Sequence, residues 1–166
     1  MINLLTEILI LILGYIEPAA LTACNEAGLE YSEGARVLQV AVNRTQTKNL
    51  NLNEVLLQKH QFNQKKCAYT TEHLALGINA LNNQLAVPAI LKNKHIEYYD
   101  ALWSQERQSN KCPGYTVGDV WEYNGLVPVC SSPLHHIFFK QVKNTPGCPN
   151  PDFVPKKLYR KVKVKC

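Results

Sequence analysis

The chain has 166 residues, 46% of them hydrophobic and 19% charged, which describes a single folded domain and excludes collagen-like, low-complexity and acidic disordered chains. The net charge of +5 is unevenly spread. Lys156, Lys157, Arg160, Lys161, Lys163 and Lys165 crowd residues 156–166 without an acid, whereas Glu7, Glu17, Glu26, Glu30 and Glu33 all precede the first basic side chain, Arg36.

The first element is the run LLTEILILILGYI over residues 4–16, apolar around a helix apart from Thr6, Glu7, Gly14 and Tyr15. It falls short of the roughly 18 apolar residues of a clean bilayer span. A secretory leader, a membrane contact and a buried core helix all remain open, with a leader that stays attached slightly favoured. Leu21-Thr22-Ala23-Cys24 has the look of a lipoprotein cleavage box, but no basic front end precedes it. Pro18 suits a first helical turn, so a helix is expected over residues 19–27, stopping at Gly28. Ser32 is the expected cap of a second helix that ends near Thr45 and buries Ala35, Val37, Leu38, Val40, Ala41 and Val42. Asn51 or Asn53 caps a short helix through Gln58, and further helices are expected from Thr71 to Asn82 and from Ile96 to Arg107.

From Cys112 onward, Gly114, Gly118, Gly125 and a series of prolines cut the chain into turns and strand-like pieces. The expected fold class is α+β, mostly helical, with an irregular, bridged last third. Three segments follow: a hydrophobic front over residues 1–17, a domain over 18–155 and a basic tail over 156–166. In the tail, Val162 and Val164 alternate with lysines, which suits either a charge-protected edge strand or a strip that attracts an anionic polymer.

Cys24, Cys67, Cys112, Cys130, Cys148 and Cys166 are dispersed, with no C-x-x-C pair and no His/Cys cluster at ligand spacing, so neither zinc nor another cofactor is expected. Disulfides are, and with them an oxidising compartment: periplasm, cell surface, extracellular space or a virion. Of the fifteen pairings, Cys112 with Cys130 and Cys148 with Cys166 are preferred.

Residues 25–44 carry the candidate chemistry. A carboxylate, Glu26, closes one helix, an acidic turn follows, and an apolar helix ends in Asn43-Arg44. A carboxyl at a helix end, half in apolar contact at the edge of a cleft, can hold its proton and act as an acid near neutral pH. The stretch resembles the SleB-like family of spore-cortex-lytic cell-wall hydrolases. The matching elements are Glu26-Ala27, Glu33-Gly34 and Asn43-Arg44, then Gln61-Phe62, then His136-Ile137-Phe138-Phe139-Lys140, with Tyr123-Asn124 fitting more loosely between. They run in order from about Leu21 to Lys140; the front helix, the six cysteines and the basic tail lie outside the pattern.

The resemblance implies a lysozyme-like or lytic-transglycosylase-like domain that cuts peptidoglycan glycan between N-acetylmuramic acid and N-acetylglucosamine. It makes Glu26 the catalytic acid and then base, and Gln61, Phe62, Tyr123, Asn124 and His136 candidates for lining the substrate groove. Glu33 reads either as a second acid or as favourable charge at a helix start. Phe62, Phe138 and Phe139 also suit the core, and Trp103 and Trp121 are candidate sugar platforms. The expected partner is the glycan strand, with membrane or virion contact through the front segment. No nucleic-acid partner is expected, since no basic–aromatic signature is present. The reading from another class is a non-catalytic, disulfide-stabilised structural or peptidoglycan-binding module.

Overall fold

The computed structural model describes residues 3–59, 61–101, 112–133 and 136–166, the side chains of Arg160 and Lys161 excepted. The class is α+β, and the chain divides into two units, Met1–Lys94 and His95–Cys166.

The first unit is helical. Helix α1 runs unbroken over Leu4–Ala27, with Asn3 accepting the Leu5 N–H as its cap. Pro18 therefore lies inside a long helix rather than opening a shorter one. The apolar run before it carries the helix through, at the cost of the one N–H that proline lacks. The two halves of α1 differ. Up to Tyr15 it is exposed, whereas Ile16, Ala19, Ala20, Thr22, Ala23, Cys24 and Ala27 are buried.

Helix α2 (Tyr31–Lys48) starts after Glu30, without a side-chain cap, so Ser32 falls within its first turn. It ends at Asn49 in the left-handed conformation, a turn beyond Thr45. Its expected apolar residues are all buried, together with Gln39, Asn43 and Arg44, so it forms the centre of the unit. Helices α3 (Leu52–Leu56) and α4 (Thr71–Leu81) open with reciprocal capping boxes built on Asn51 and Thr70.

Small residues let these helices approach closely. A Cβ on Gly34 of α2 would lie 3.2 Å from the Ala23 Cβ of α1, and one on Gly77 of α4 would meet Ile16 Cγ2 at 2.6 Å. Gly77→Ala is expected to lower stability by about 1–3 kcal/mol through forced separation of α1 and α4. A urea titration reads this as a lower midpoint at unchanged slope. Asn43 clamps the end of the unit: its amide donates to the carbonyls of Leu91 and Asn93 at 2.9 and 3.0 Å and its oxygen accepts from Gln39.

The second unit holds a three-stranded antiparallel sheet in the order β1 (Ile96–Ala101), β3 (His136–Gln141), β2 (Leu126–Ser131). The helix expected from Ile96 is instead a strand as far as Ala101. IEYYDA is rich in aromatic and β-branched residues and pairs with β3 from Ile96↔Lys140 to Ala101↔His136. The remainder of that expectation, including Trp103, lies outside the described residues. Central β3 buries His136, Ile137, Phe138 and Phe139 in succession. Ile137 and Phe139 join Leu126 and Tyr159 in a core that Tyr98, Trp121 and Val162 cover. Trp121 is thus a packing residue, edge-on to Phe139 at 5.3 Å.

Helix α5 (Val117–Tyr123) is capped by Thr116, whose backbone N–H donates to Asp119 at 2.9 Å, with the Lys157 ammonium 3.1 Å from the same carboxylate. Burial pushes the Asp119 carboxyl up, but the Thr116 backbone and hydroxyl donors and the Lys157 charge outweigh it and hold the group below its ordinary value. A depressed carboxyl contributes stability above its unfolded value, about 3.9, and loses it as pH falls through the lower folded one. The melting-temperature advantage of the native chain over Asp119→Asn should therefore shrink steadily below about pH 4. An advantage unchanged down to pH 2 would remove this account.

All six described cysteines are bridged, but not as preferred from sequence: the pairs are Cys24–Cys67, Cys112–Cys148 and Cys130–Cys166. The tail explains the last pair. It lies parallel to the end of β2, with Ser131 N–H donating to Val164 O and Cys166 N–H to Ser131 O, which sets Cys166 beside Cys130 rather than Cys148. The expected edge strand is reduced to this single Ser131↔Lys165 bridge. Cys24 is buried within α1 and bonded to Cys67, so the lipoprotein-like box is helical core.

Candidate active site

Glu26 stands at the last turn of α1, half-buried, one residue before the helix stops. The stop is made by Gly28, at φ 56°, whose N–H returns to the Cys24 carbonyl at 2.9 Å. That backbone conformation suits glycine, and it turns the chain sharply away beyond the carboxylate. His73 secures the turn from α4. Its Nδ1 accepts the Thr70 backbone N–H at 3.0 Å, which leaves Nε2 to carry the proton donated to the Gly28 carbonyl at 2.8 Å. Tyr31 packs edge-on against the same ring.

The segment 61–69 lies beside Glu26, latched onto α1 at several points. The Asn63 backbone N–H donates to Glu26 Oε1 at 3.3 Å. The Asn25 side-chain amide donates to Leu21 O at 2.9 Å, Lys65 O at 2.8 Å and Asn63 O at 3.4 Å, and Gln64 donates to Thr22 Oγ1 and Pro18 O. The Cys24–Cys67 bridge closes the far end. Beyond it the Tyr69 hydroxyl donates to Glu17 at 2.8 Å; that bond, then burial and the Glu17 charge, raise the Tyr69 phenol above its ordinary value.

Arg44 joins α2 to this segment. Its guanidinium donates to Gln61 Oε1 at 2.7 Å and stacks over the Phe62 ring, 5.0 Å from the centroid. Gln61 itself is exposed. Phe62 is a buried packing residue, only 8% exposed.

Glu26 of α1 thus contacts Asn63, the residue after the Gln61–Phe62 pair, and Arg44 of α2 contacts that pair. Glu33 is different. It is fully buried and ion-paired with Arg36 at 3.1 Å, so its carboxylate offers a sugar no surface, and its place is in the packing of α2. Tyr123, Asn124 and His136 belong to the second unit. Tyr123 packs edge-on against Phe153, Asn124 donates to Val120 O and Gly147 O, and His136 is 4% exposed on β3 against Tyr99. Among the described residues no group of three or more His, Cys, Asp or Glu could hold a metal ion.

Sequence reasoning missed Asn25, Asn63 and His73. Asn25 is the residue next to Glu26, and its short amide is the one local signal that the helix end is bonded to something distant. Comparison with family models, with curated proteins and with solved structures returned no match.

Proposed function

We propose that the protein is a peptidoglycan glycosidase, a lytic transglycosylase or muramidase of lysozyme-like fold, that cuts the N-acetylmuramic acid–N-acetylglucosamine bond with Glu26 as its acid and base. The observation that carries this reading is convergence. The Glu-Ala, Asn-Arg and Gln-Phe elements that resemble the SleB-like family are far apart in sequence, yet Glu26 touches Asn63, and Arg44 touches Gln61 and Phe62.

The chemistry follows from the two oxygens of one carboxyl. Oε1 accepts the Asn63 N–H, and Oε2 is the oxygen left to carry a proton to the glycosidic oxygen as the C1–O bond breaks. The carboxylate so formed then takes a proton from the attacking hydroxyl. If that is the muramoyl C6 hydroxyl, the product is a 1,6-anhydro end; if it is water, a reducing end. A second carboxylate is required only where the enzyme itself must activate water or supply a nucleophile. With the C6 hydroxyl as nucleophile, Glu33 can stay in its buried ion pair. Exposed Gln61 offers an amide suited to hydroxyl and N-acetyl groups, and buried Arg44 holds that side chain in place.

One observation also suits a non-catalytic module: the Asn63–Glu26 hydrogen bond would latch the loop whether or not chemistry followed. Glu26→Gln separates the two readings. The amide oxygen still accepts from Asn63, so the fold and glycan binding persist, whereas the proton donor is gone. Loss of turbidity of purified sacculi should depend on Glu26. Mass analysis of the released muropeptides then tells anhydro from reducing ends.

A further inference from the structure

Among the described residues, none buries a side chain of the first half of α1 before Ile16. Every large apolar side chain from Leu4 to Leu13 is exposed, Leu5 at 71% and Leu11 at 73%. Ile10, Leu11, Ile12 and Leu13 are consecutive, and successive helical residues point about 100° apart, so these four cover the full circumference. A groove in a partner protein, or one neighbouring helix from a second copy, would cover one face and leave the other in water. A surrounding apolar solvent covers all of them.

We propose that residues 4–15 insert into a lipid bilayer and hold the protein on a membrane as a permanent stalk. Three features mark where the bilayer surface falls. Tyr15, half-exposed, sits at the junction of the apolar stretch and the body, the level at which aromatic rings collect in membrane proteins. Asn53 donates to the Tyr15 carbonyl there, and the polar pair Glu17–Tyr69 follows immediately. A groove of about 750 Å³, lined by Leu11, Ile12, Tyr15 and Ile16 of α1 and Ile78 and Leu81 of α4, continues the apolar surface onto the body. The protruding stretch measures about 18 Å at 1.5 Å per residue, deeper than one leaflet and short of the hydrocarbon thickness of about 30 Å. Thr6 and Glu7 lie in its first turn, the deepest part of the stalk, where the carboxylate of Glu7 opposes insertion.

The stalk is one helix with the core. Ile16, Ala19, Ala20 and Ala23 pack inside the first unit, and Glu26 closes the same helix, about 16 Å beyond Tyr15. This consequence rests on the proposed glycosidase reading: the catalytic carboxyl would reach glycan close to the membrane and no other.

The full chain is mixed with vesicles of phosphatidylcholine alone and floated through a density gradient at about 0.5 M salt, which screens attraction by the basic tail. Most of the protein should float. Leu9→Lys combined with Leu11→Lys, both at exposed sites that spare the core, should cut the floating fraction about tenfold at unchanged circular dichroism. Glu7→Leu should raise it. Intact mass of the floated chain should include residues 4–15. A native chain that stays at the bottom, alone or as a discrete oligomer, overturns the proposal, as does equal flotation of the lysine variant or a chain that begins beyond Tyr15. Flotation reads the stalk alone, so a Glu26→Gln protein that floats normally and a native one that cuts no glycan would sink only the enzymatic reading.

Discussion

Replacing Glu26 with glutamine should lower the rate of sacculus digestion by about 10²–10⁴-fold, the range that a positioned acid–base group contributes. Glutamine matches glutamate in size and keeps an oxygen for the Asn63 N–H, so the melting temperature should move little. The residual protein should still sediment with sacculi as the native chain does. Undiminished digestion by the variant would dispose of Glu26 as the acid. A melting point several degrees lower would show instead that the carboxylate is chiefly a latch, and the non-catalytic reading would then gain.

The second large effect is expected from the Cys24–Cys67 bridge. It closes a 43-residue separation, for which the chain-entropy relation gives about 4 kcal/mol at 25 °C. Cys24→Ala with Cys67→Ala should therefore lower the urea midpoint of the first unit substantially. It should also cut activity, because the bridge ends the latch that holds Asn63 against Glu26. The Asn25 and Gln64 hydrogen bonds remain, so the activity loss should be smaller than for Glu26→Gln. Activity that survives the double substitution intact would mean the segment 61–69 is held by those hydrogen bonds alone.

Local signals served well where a helix announces its own boundaries. Asn51 and Thr70 cap their helices as side-chain chemistry dictates, and the helix expected from Thr71 to Asn82 forms over Thr71–Leu81. They failed where distant partners decide. Ile96–Ala101 is a strand because β3 offers an unpaired edge, which no window of ten residues can contain. Pro18 reads as a helix start only while the exposed apolar run before it is left out of account. The preferred cysteine pairs joined neighbours across short loops, whereas the observed ones follow the path of the tail along β2. In the candidate site, the residue types and their order were readable, and their meeting was not. Glu26 meets Asn63 through a loop fixed by an amide, a glutamine and a bridge, each ordinary in isolation. Glu33 passed for a candidate acid because burial is invisible to spacing.

The three bridges are arranged in a way that bears on how the protein matures. Cys24 and Cys67 are the first two thiols in the chain and pair with each other inside the first unit. Once they have oxidised, the four remaining thiols allow only three pairings instead of the original fifteen. Those four interleave, Cys112 with Cys148 and Cys130 with Cys166, so a chain delivered amino terminus first offers the mispair Cys112–Cys130 before either correct partner arrives. Correct oxidation of the second unit must therefore wait for residue 166 or be repaired by a thiol exchanger, and a host lacking one should accumulate protein with a sound helical half and a scrambled sheet.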